Sequence, residues 1–522
     1  MPSAATRLAR RTGSRAAVAS WLCGALLLRL AGVSRAAWLD EALTLRWVHA
    51  AGWHDWVAEV RSDLVPPAYP ALLTAWSAIS DDLPWLRLFS VACSLGTLAV
   101  GMAWTSTTSR RAVLPAALLL SSAPFLLRYA VELRAYALLG LATAWAGCAA
   151  WRLASSPGPQ GRHATSLLLA LLLACLTHFT GVLLVPAAVV LVLVGTQDRP
   201  RTRVPWLGLF GVCLVWAVVV AGSRAPGAVG AGWWMPSLTP RLAWLTLGEV
   251  LGASSPAGGM PPVMQGSWVA LLVALGAVVT LAEPSREWTA PLGAALAYWL
   301  CLAGASLLWE PVWWPRTLLP GFVLLLVSVA VASQWLRTAR LRVAAVSLIL
   351  LLSVMGATRW VAGEGQTSIE PWTRAVAALP GAGARAPLFV VPDYAAAPLI
   401  EAVPGRRDAV VALRLDGRGN REALASALAT AGTGSGFSLV VRVDLTTERA
   451  DDRLTSVLTQ IATVRGAAPA RVLLVTSPDA SLVPGLRRSR ARIEAVVTRL
   501  FGPPARRVED PALTSLDFPP PR

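Results

Sequence analysis

Two adjacent carboxylates, Asp40 and Glu41, stand directly after the first long apolar run of the chain, in Trp38-Leu39-Asp40-Glu41. Ionised groups at the edge of a bilayer are kept where they face water, a partner or a substrate. A carboxylate within reach of a hydroxyl can take its proton as that oxygen attacks. The same pair also suits a solvated helix start, where acids offset exposed N–H groups. Further on, Glu132-Leu133-Arg134-Ala135-Tyr136 offers an arginine suited to an anionic phosphate and a glutamate suited to a polar ligand or to that arginine. Pro315-Arg316 adds a second cation, and His178 breaks two apolar runs in Thr177-His178-Phe179. Pro66-Pro67-Ala68-Tyr69 reads as a rigid approach to a helix, with a tyrosine on it. The plain structural readings are an interfacial ion pair, a headgroup contact, a turn histidine and a shape element. Asp40 and Glu41 are the catalytic candidates; Glu132, Arg134, Tyr136, Tyr69, His178 and Arg316 are the substrate-binding ones.

Hydrocarbon must carry these groups. Of 522 residues, 55% are hydrophobic and 14% charged, where a soluble chain carries roughly a quarter charged. The apolar residues gather in runs long enough to cross a bilayer, so the class is a polytopic helical membrane protein. All 46 basic residues are arginine, and the net charge is +17. They are scattered over loops rather than gathered on one face, which argues against nucleic acid. The six cysteines all fall inside apolar runs, which excludes a disulfide framework and a cysteine zinc site. His49 and His54, near Asp55 and Glu59, match no metal motif. The remaining metal option is a divalent cation bridging Asp40, Glu132 and a phosphate.

Eleven spans are expected, at about 16–33, 85–104, 112–127, 134–152, 165–176, 180–195, 204–222, 266–282, 289–308, 318–335 and 341–358. The first reads as an uncleaved signal-anchor after a short cytoplasmic 1–15 segment. The run at 67–79 has about thirteen residues, against the roughly 20 that spanning requires, and is taken as interfacial or re-entrant. With that assignment, fifteen loop arginines fall on one side and eight on the other. The positive-inside rule then puts the N-terminus in the cytoplasm and the far end of the chain outside. It also places the first long loop, 34–84, and every candidate residue on the outer face. Glu41 to Val60 reads as one or two short amphipathic helices on the membrane, with Trp38, Trp47, Trp53 and Trp56 as interfacial anchors, the alternative being stacking on a sugar.

Beyond 365 the apolar runs shorten to strand length, at Pro387–Val391, Ala409–Leu413, Phe437–Val443 and Arg471–Val475. Helical patterns alternate with them at 421–431, 453–464 and 486–501. This predicts a small α/β domain over 365–502 with a partly parallel sheet, then a proline-rich disordered tail, 503–522.

In order and spacing, Trp38-Leu39-Asp40-Glu41, Pro66-Pro67-x-Tyr69, Glu132-x-Arg134-x-Tyr136, Thr177-His178-Phe179 and Pro315-Arg316 resemble the GT-C superfamily of glycosyltransferases. The resemblance is to those using polyprenyl-phosphate sugars: bacterial relatives of protein O-mannosyltransferases and of the lipid A aminoarabinose transferase. It covers about 16–360. It implies a transmembrane catalytic domain in the bacterial cytoplasmic membrane, a sugar donor on polyprenyl phosphate, and inversion at the anomeric carbon. The acceptor would be a hydroxyl on a protein, lipid or polysaccharide. Asp40 would be the base, Arg134 and Arg316 would steady the departing lipid phosphate, and Glu132 would hold the sugar or acceptor. The loop 223–265, with Trp233-Trp234, would cover the site. Ala135 stands where relatives often carry a bulky residue, and Thr317 where they usually carry tyrosine. A lipid or glycan transporter, and a glycan polymerase or ligase, are the alternatives. The absence of a clear internal repeat and the acids gathered at one face weigh against the transporter.

Overall fold

The computed structural model describes residues 20–35, 37–63, 65–156, 160–196, 205–223, 235, 237–251, 276, 280–362, 372–377, 387–391, 395–396, 399–400, 409–414, 419–431, 437–443, 448–463, 469–476, 486–510 and 513–518. It is a polytopic helical membrane fold followed by an α/β domain. Helix α1 (Ser20–Leu30) leads into two short helices, α2 (Leu39–Val48) and α3 (Trp53–Ser62), then α4 (Ala68–Ser77) and the long α5 (Leu83–Thr108). Ten residues of helix measure about 15 Å, half of a hydrocarbon core of about 30 Å. The 67–79 run is therefore too short to span; α4 packs instead on α2 and α5.

Helices α6 (Val113–Ser122) and α7 (Pro124–Ala130) share one apolar run, bent by 59° where Pro124 removes a backbone donor. There follow α8 (Tyr136–Ser155), α9 (Gly161–Thr177), α10 (Leu184–Gly195), α11 (Trp206–Ser223), α12 (Pro240–Val250), α13 (Arg286–Leu308), α14 (Leu319–Ala332) and α15 (Ala339–Val361). Of the eleven expected spans, all but 266–282 coincide with described helices; that one lies mostly outside the described residues. The most apolar 18-residue stretch of α8 is 83% buried and that of Pro315–Ala332 is 89% buried, whereas that of α15 is 22% buried. The first two form the middle of the bundle, and α15 offers most of its surface to lipid.

Small residues set how closely the central helices approach. A Cβ on Gly147 of α8 would lie 2.4 Å from the buried ring of Trp104 on α5. Polar ties also cross the bundle. Arg29 of α1 is fully buried and donates to Ser94 Oγ (2.9 Å) and to the carbonyls of Ala25, Leu120 and Ser121, so its charged head is answered inside the protein.

The α/β domain carries β1 (Leu388–Val391), β2 (Val410–Ala412), β3 (Phe437–Val443), β4 (Pro469–Thr476), β5 (Arg506–Asp510) and β6 (Leu513–Asp517). The sheet order is β2-β1-β3-β4-β6-β5; the first four strands are parallel, and β6 and β5 are antiparallel. Helices α16 (Trp372–Ala377), α17 (Asn420–Ala431), α18 (Glu448–Thr463) and α19 (Leu486–Phe501) complete it. Leu454, Leu458 and Ile493 pack on one face of the sheet and Trp372 on the other. Every residue of β3 is buried in consequence, as a strand covered on both faces requires. The expected disordered tail is corrected here. β5 and β6 form a hairpin that closes the β4 edge, with Leu516 and Phe518 buried in the core. The flanking prolines had hidden two strand-length segments.

Gly147→Val is expected to lower the melting temperature in detergent by an amount corresponding to about 1–3 kcal/mol of overpacking. Gly211→Val, where an added Cβ meets nothing within 4 Å, is the control; equal melting of the two variants would contradict the packing.

Candidate active site

Glu41 fixes the geometry. It has no exposure, and its carboxylate accepts from Arg87 through both oxygens (Nη2 at 2.7 Å, Nε at 3.0 Å) and from the backbone N–H of Leu133 at 2.9 Å. Arg35 Nη2 at 3.4 Å and the Trp38 N–H at 3.3 Å complete the set. One carboxylate thereby joins α2, α5, the segment before α2, and the 131–135 loop that precedes α8. Burial alone would raise the Glu41 carboxyl; Arg87 and Arg35 outweigh it and hold the group below the usual range.

Asp40 lies about 100° further round α2 and meets a different set of groups. Arg316, in the 3-10 turn Pro315–Leu318, donates to its Oδ2 across 276 positions of sequence. Arg134 Nη1 donates to the Asp40 carbonyl (3.1 Å), to Thr44 Oγ1 (3.2 Å) and to Asp63 Oδ2 (2.7 Å). Burial raises the Asp40 carboxyl, but the charges of Arg316, Arg134 and Arg442 prevail and hold it below its ordinary value. Arg442 lies on β3, so the α/β domain adds positive charge to this site.

The guanidinium of Arg316 lies over the ring of Tyr136 at 5.9 Å, and Tyr136 packs against His178 at 5.6 Å and Tyr129 at 5.1 Å. His178 Nδ1 is 2.8 Å from Thr180 Oγ1. Burial, with Arg316 and Arg134 nearby, lowers the imidazole to about 3 and keeps it neutral. Asp40, Arg134, Tyr136, His178 and Arg316 thus converge at one end of the bundle. Tyr69 belongs to a separate core, packed between Trp47 and Phe89. Trp38 and Trp47 are buried rather than interfacial anchors, while Trp53 is 75% exposed and stacks on Trp56.

Glu132 is 1% exposed, and neither carboxylate oxygen has a hydrogen-bond partner among the described residues. It lines a cavity with room for about one water (about 10 Å³ for its centre), walled by Trp38, Arg128, Tyr129, Glu249, Trp314, Pro315 and Arg316. Arg128 and Glu249 form an ion pair at 2.8 Å, so α12 closes one side of the cavity. Trp233 and Trp234, expected to cover the site, lie outside the described residues.

Sequence reasoning missed Asp63, Arg87, Arg128 and Glu249. Arg87 had a signal, a lone charge entering an apolar run, and Glu249 was the one acid in its helix; Asp63 had none. Among the described residues no three His, Cys, Asp or Glu side chains gather to hold a metal; a cation bridging Asp40, Glu132 and a phosphate would draw on only two such side chains.

No protein-family model and no curated protein sequence matches this chain. Its fold is similar to that of ArnT from Cupriavidus metallidurans in the apo state, with a TM-score of 0.56 at 12% identity over 97% of this chain and 98% of that one. The same protein bound to undecaprenyl phosphate aligns with a TM-score of 0.48 at 13% identity, over 96% and 97%. The apo likeness bears out the expected architecture, a polytopic helical domain followed by a small α/β domain, as an ArnT-like fold.

Burial pushes Glu132 up to about 7, opposed by Arg128 and Arg35 and reinforced by Glu41 and Asp40. The folded protein therefore holds this proton more tightly than the unfolded chain, whose value is near 4.5. Stability from this group falls as pH rises between those two values and is level beyond the higher one. Glu132→Gln removes the effect. Its advantage over wild type in thermal unfolding is expected to be larger at pH 8 than at pH 5, by on the order of 3 kcal/mol; an equal difference at both pH values would contradict it.

Proposed function

We propose that the chain is an inverting glycosyltransferase of the bacterial cytoplasmic membrane, moving a sugar from a polyprenyl-phosphate donor to an acceptor hydroxyl on the outer face. The observation that carries this reading is the meeting of the Asp40 carboxylate with Arg316 and Arg134 at one end of an ArnT-like bundle. A base and two cations are what displacement of a phosphate by a hydroxyl requires. The positive-inside count supports the outer orientation.

In this mechanism the acceptor oxygen attacks the anomeric carbon from the side opposite the phosphate. Asp40 takes the hydroxyl proton as the new C–O bond forms. The bond from the anomeric carbon to the phosphate oxygen breaks, and its electron pair leaves with the polyprenyl phosphate. Arg316 and Arg134 balance the charge gathering on that phosphate. Arg316 must turn from Asp40 toward the phosphate, which frees the carboxylate as the donor arrives. Tyr136 and neutral His178 hold the Arg316 side of the site. Glu41 and Tyr69 act as positioning residues, the first through the buried ion pair and the second through the core under α2.

Membranes containing wild type or Asp40→Asn, supplied with a panel of polyprenyl-phosphate sugars, test the assignment. Wild type is expected to release polyprenyl phosphate from one donor. The variant, equally well expressed, should do so roughly 10²–10⁴-fold more slowly. Equal rates would remove Asp40 as the base.

A further inference from the structure

The hairpin that covers β4 leaves β5 as the new edge of the sheet, with β6 as its one neighbour among the described residues. Arg506, Arg507, Val508 and Glu509 are all exposed, Val508 at 50%. An uncovered edge offers its backbone N–H and C=O groups to another strand, and proteins guard it with a bulge, a proline or charges. The β5–β6 register runs without a shift, and Pro503 and Pro504 precede the strand rather than interrupt it. Charges are present, but their order does not guard the edge. The strand reads Arg506-Arg507-Val508-Glu509-Asp510: two cations, one apolar residue, two anions. Turned end for end and laid beside itself, this pattern meets its complement at every position.

We infer that β5 pairs antiparallel with β5 of a second copy of this chain, joining the two sheets across a two-fold axis at Val508. In that register position 507 lies opposite position 509 of the second copy, and 506 opposite 510, so each arginine stands against an acid and Val508 against its own copy. Parallel pairing in register would set arginine against arginine, so the charges select the antiparallel direction too. Within one copy Arg507 bridges Glu494 and Glu509 with side chains that are still 43% and 50% exposed at Arg507 and Glu509, and exposed pairs of this kind are weak. Two copies in one membrane share an axis along the membrane normal. The axis of an antiparallel edge pair stands perpendicular to the sheet, which turns one sheet face toward the bundle. Arg442 agrees with that placement: it shares a face with Val440 and Trp372, and its charge reaches Asp40. Five strand residues make a contact below the roughly 1,000 Å² of a lasting interface. Confinement of both copies to one membrane raises their effective concentration and offsets the small contact. The inference needs the membrane domain but not the transferase reading.

The test uses full-length Val508→Cys, reconstituted at a few copies per lipid vesicle and treated with a short bis-maleimide. Wild type, whose six cysteines all lie in apolar runs, gives the background. Val508→Cys is expected to yield crosslinked dimer at least fivefold above it. Adding Arg507→Glu or Glu509→Arg sets like charges opposite each other in both halves of the contact, and either should cut the dimer about fivefold or more. Mixing these two reversed variants in one vesicle sets opposite charges face to face again. At least half of the yield of Val508→Cys should return, which misfolded chains could not produce. No dimer above background from Val508→Cys would overturn the inference and leave β5 an edge guarded by its charges. Undiminished dimer in the reversed variants, or no recovery when the folded variants are mixed, would overturn it equally. The comparison of Val508→Cys with wild type decides even if a reversed variant does not fold.

Discussion

The Glu41–Arg87 pair is the constraint on which the site depends. Both side chains are fully buried, and removing one partner of such a pair costs about 3–5 kcal/mol because the other charge is left unanswered. Its worth here is geometric. Arg87 also donates to the carbonyls of Val33 (2.7 Å) and Arg35, and Glu41 accepts from the Leu133 N–H. The start of α2, the start of α5 and the loop before α8 are thereby locked together. Asp40 and Arg134 are the neighbours of these locked positions, one residue along in each case. Their meeting follows from backbone already fixed by the buried Glu41 carboxylate.

Charge is balanced pair by pair around that frame. Arg316 answers Asp40, Arg134 answers Asp63, and Arg128 answers Glu249. Buried guanidinium groups need such anions, and the guanidinium fork suits a carboxylate and a phosphate alike. The pairing also keeps the proposed base quiet, since the carboxylate that would accept a proton is neutralised until a second anion competes for its arginine. Glu132 stands outside this balance. The α/β domain joins it from the other side through Arg442, whose charge reaches Asp40.

Most of the scaffold was legible in the sequence because hydrophobic burial writes itself in runs and periods. The strand expected at Phe437–Val443 and the helix expected at 486–501 are found at those positions. The division of labour inside Asp40-Glu41 was not legible. Adjacent carboxylates look alike in a row of letters, yet successive helix positions point about 100° apart, and one meets Arg316 while the other meets Arg87 in the core. Asp63 and Glu249 gave little local sign of their role, because an ion pair between distant segments is a property of the packing. The β5–β6 hairpin was hidden by its prolines, which flank the strands rather than interrupt them. Trp38 and Trp47 read as membrane anchors because composition does not tell an interfacial tryptophan from a core one.

The most direct measurement is an experimental structure of the full chain in a nanodisc with undecaprenyl phosphate bound. The phosphate is expected at Arg316 and Arg134, with the Arg316–Asp40 contact broken, Asp40 open to the acceptor side and Glu41 still on Arg87. A phosphate bound elsewhere, with Arg316 still on Asp40, would contradict the assignment of this cluster as the catalytic centre.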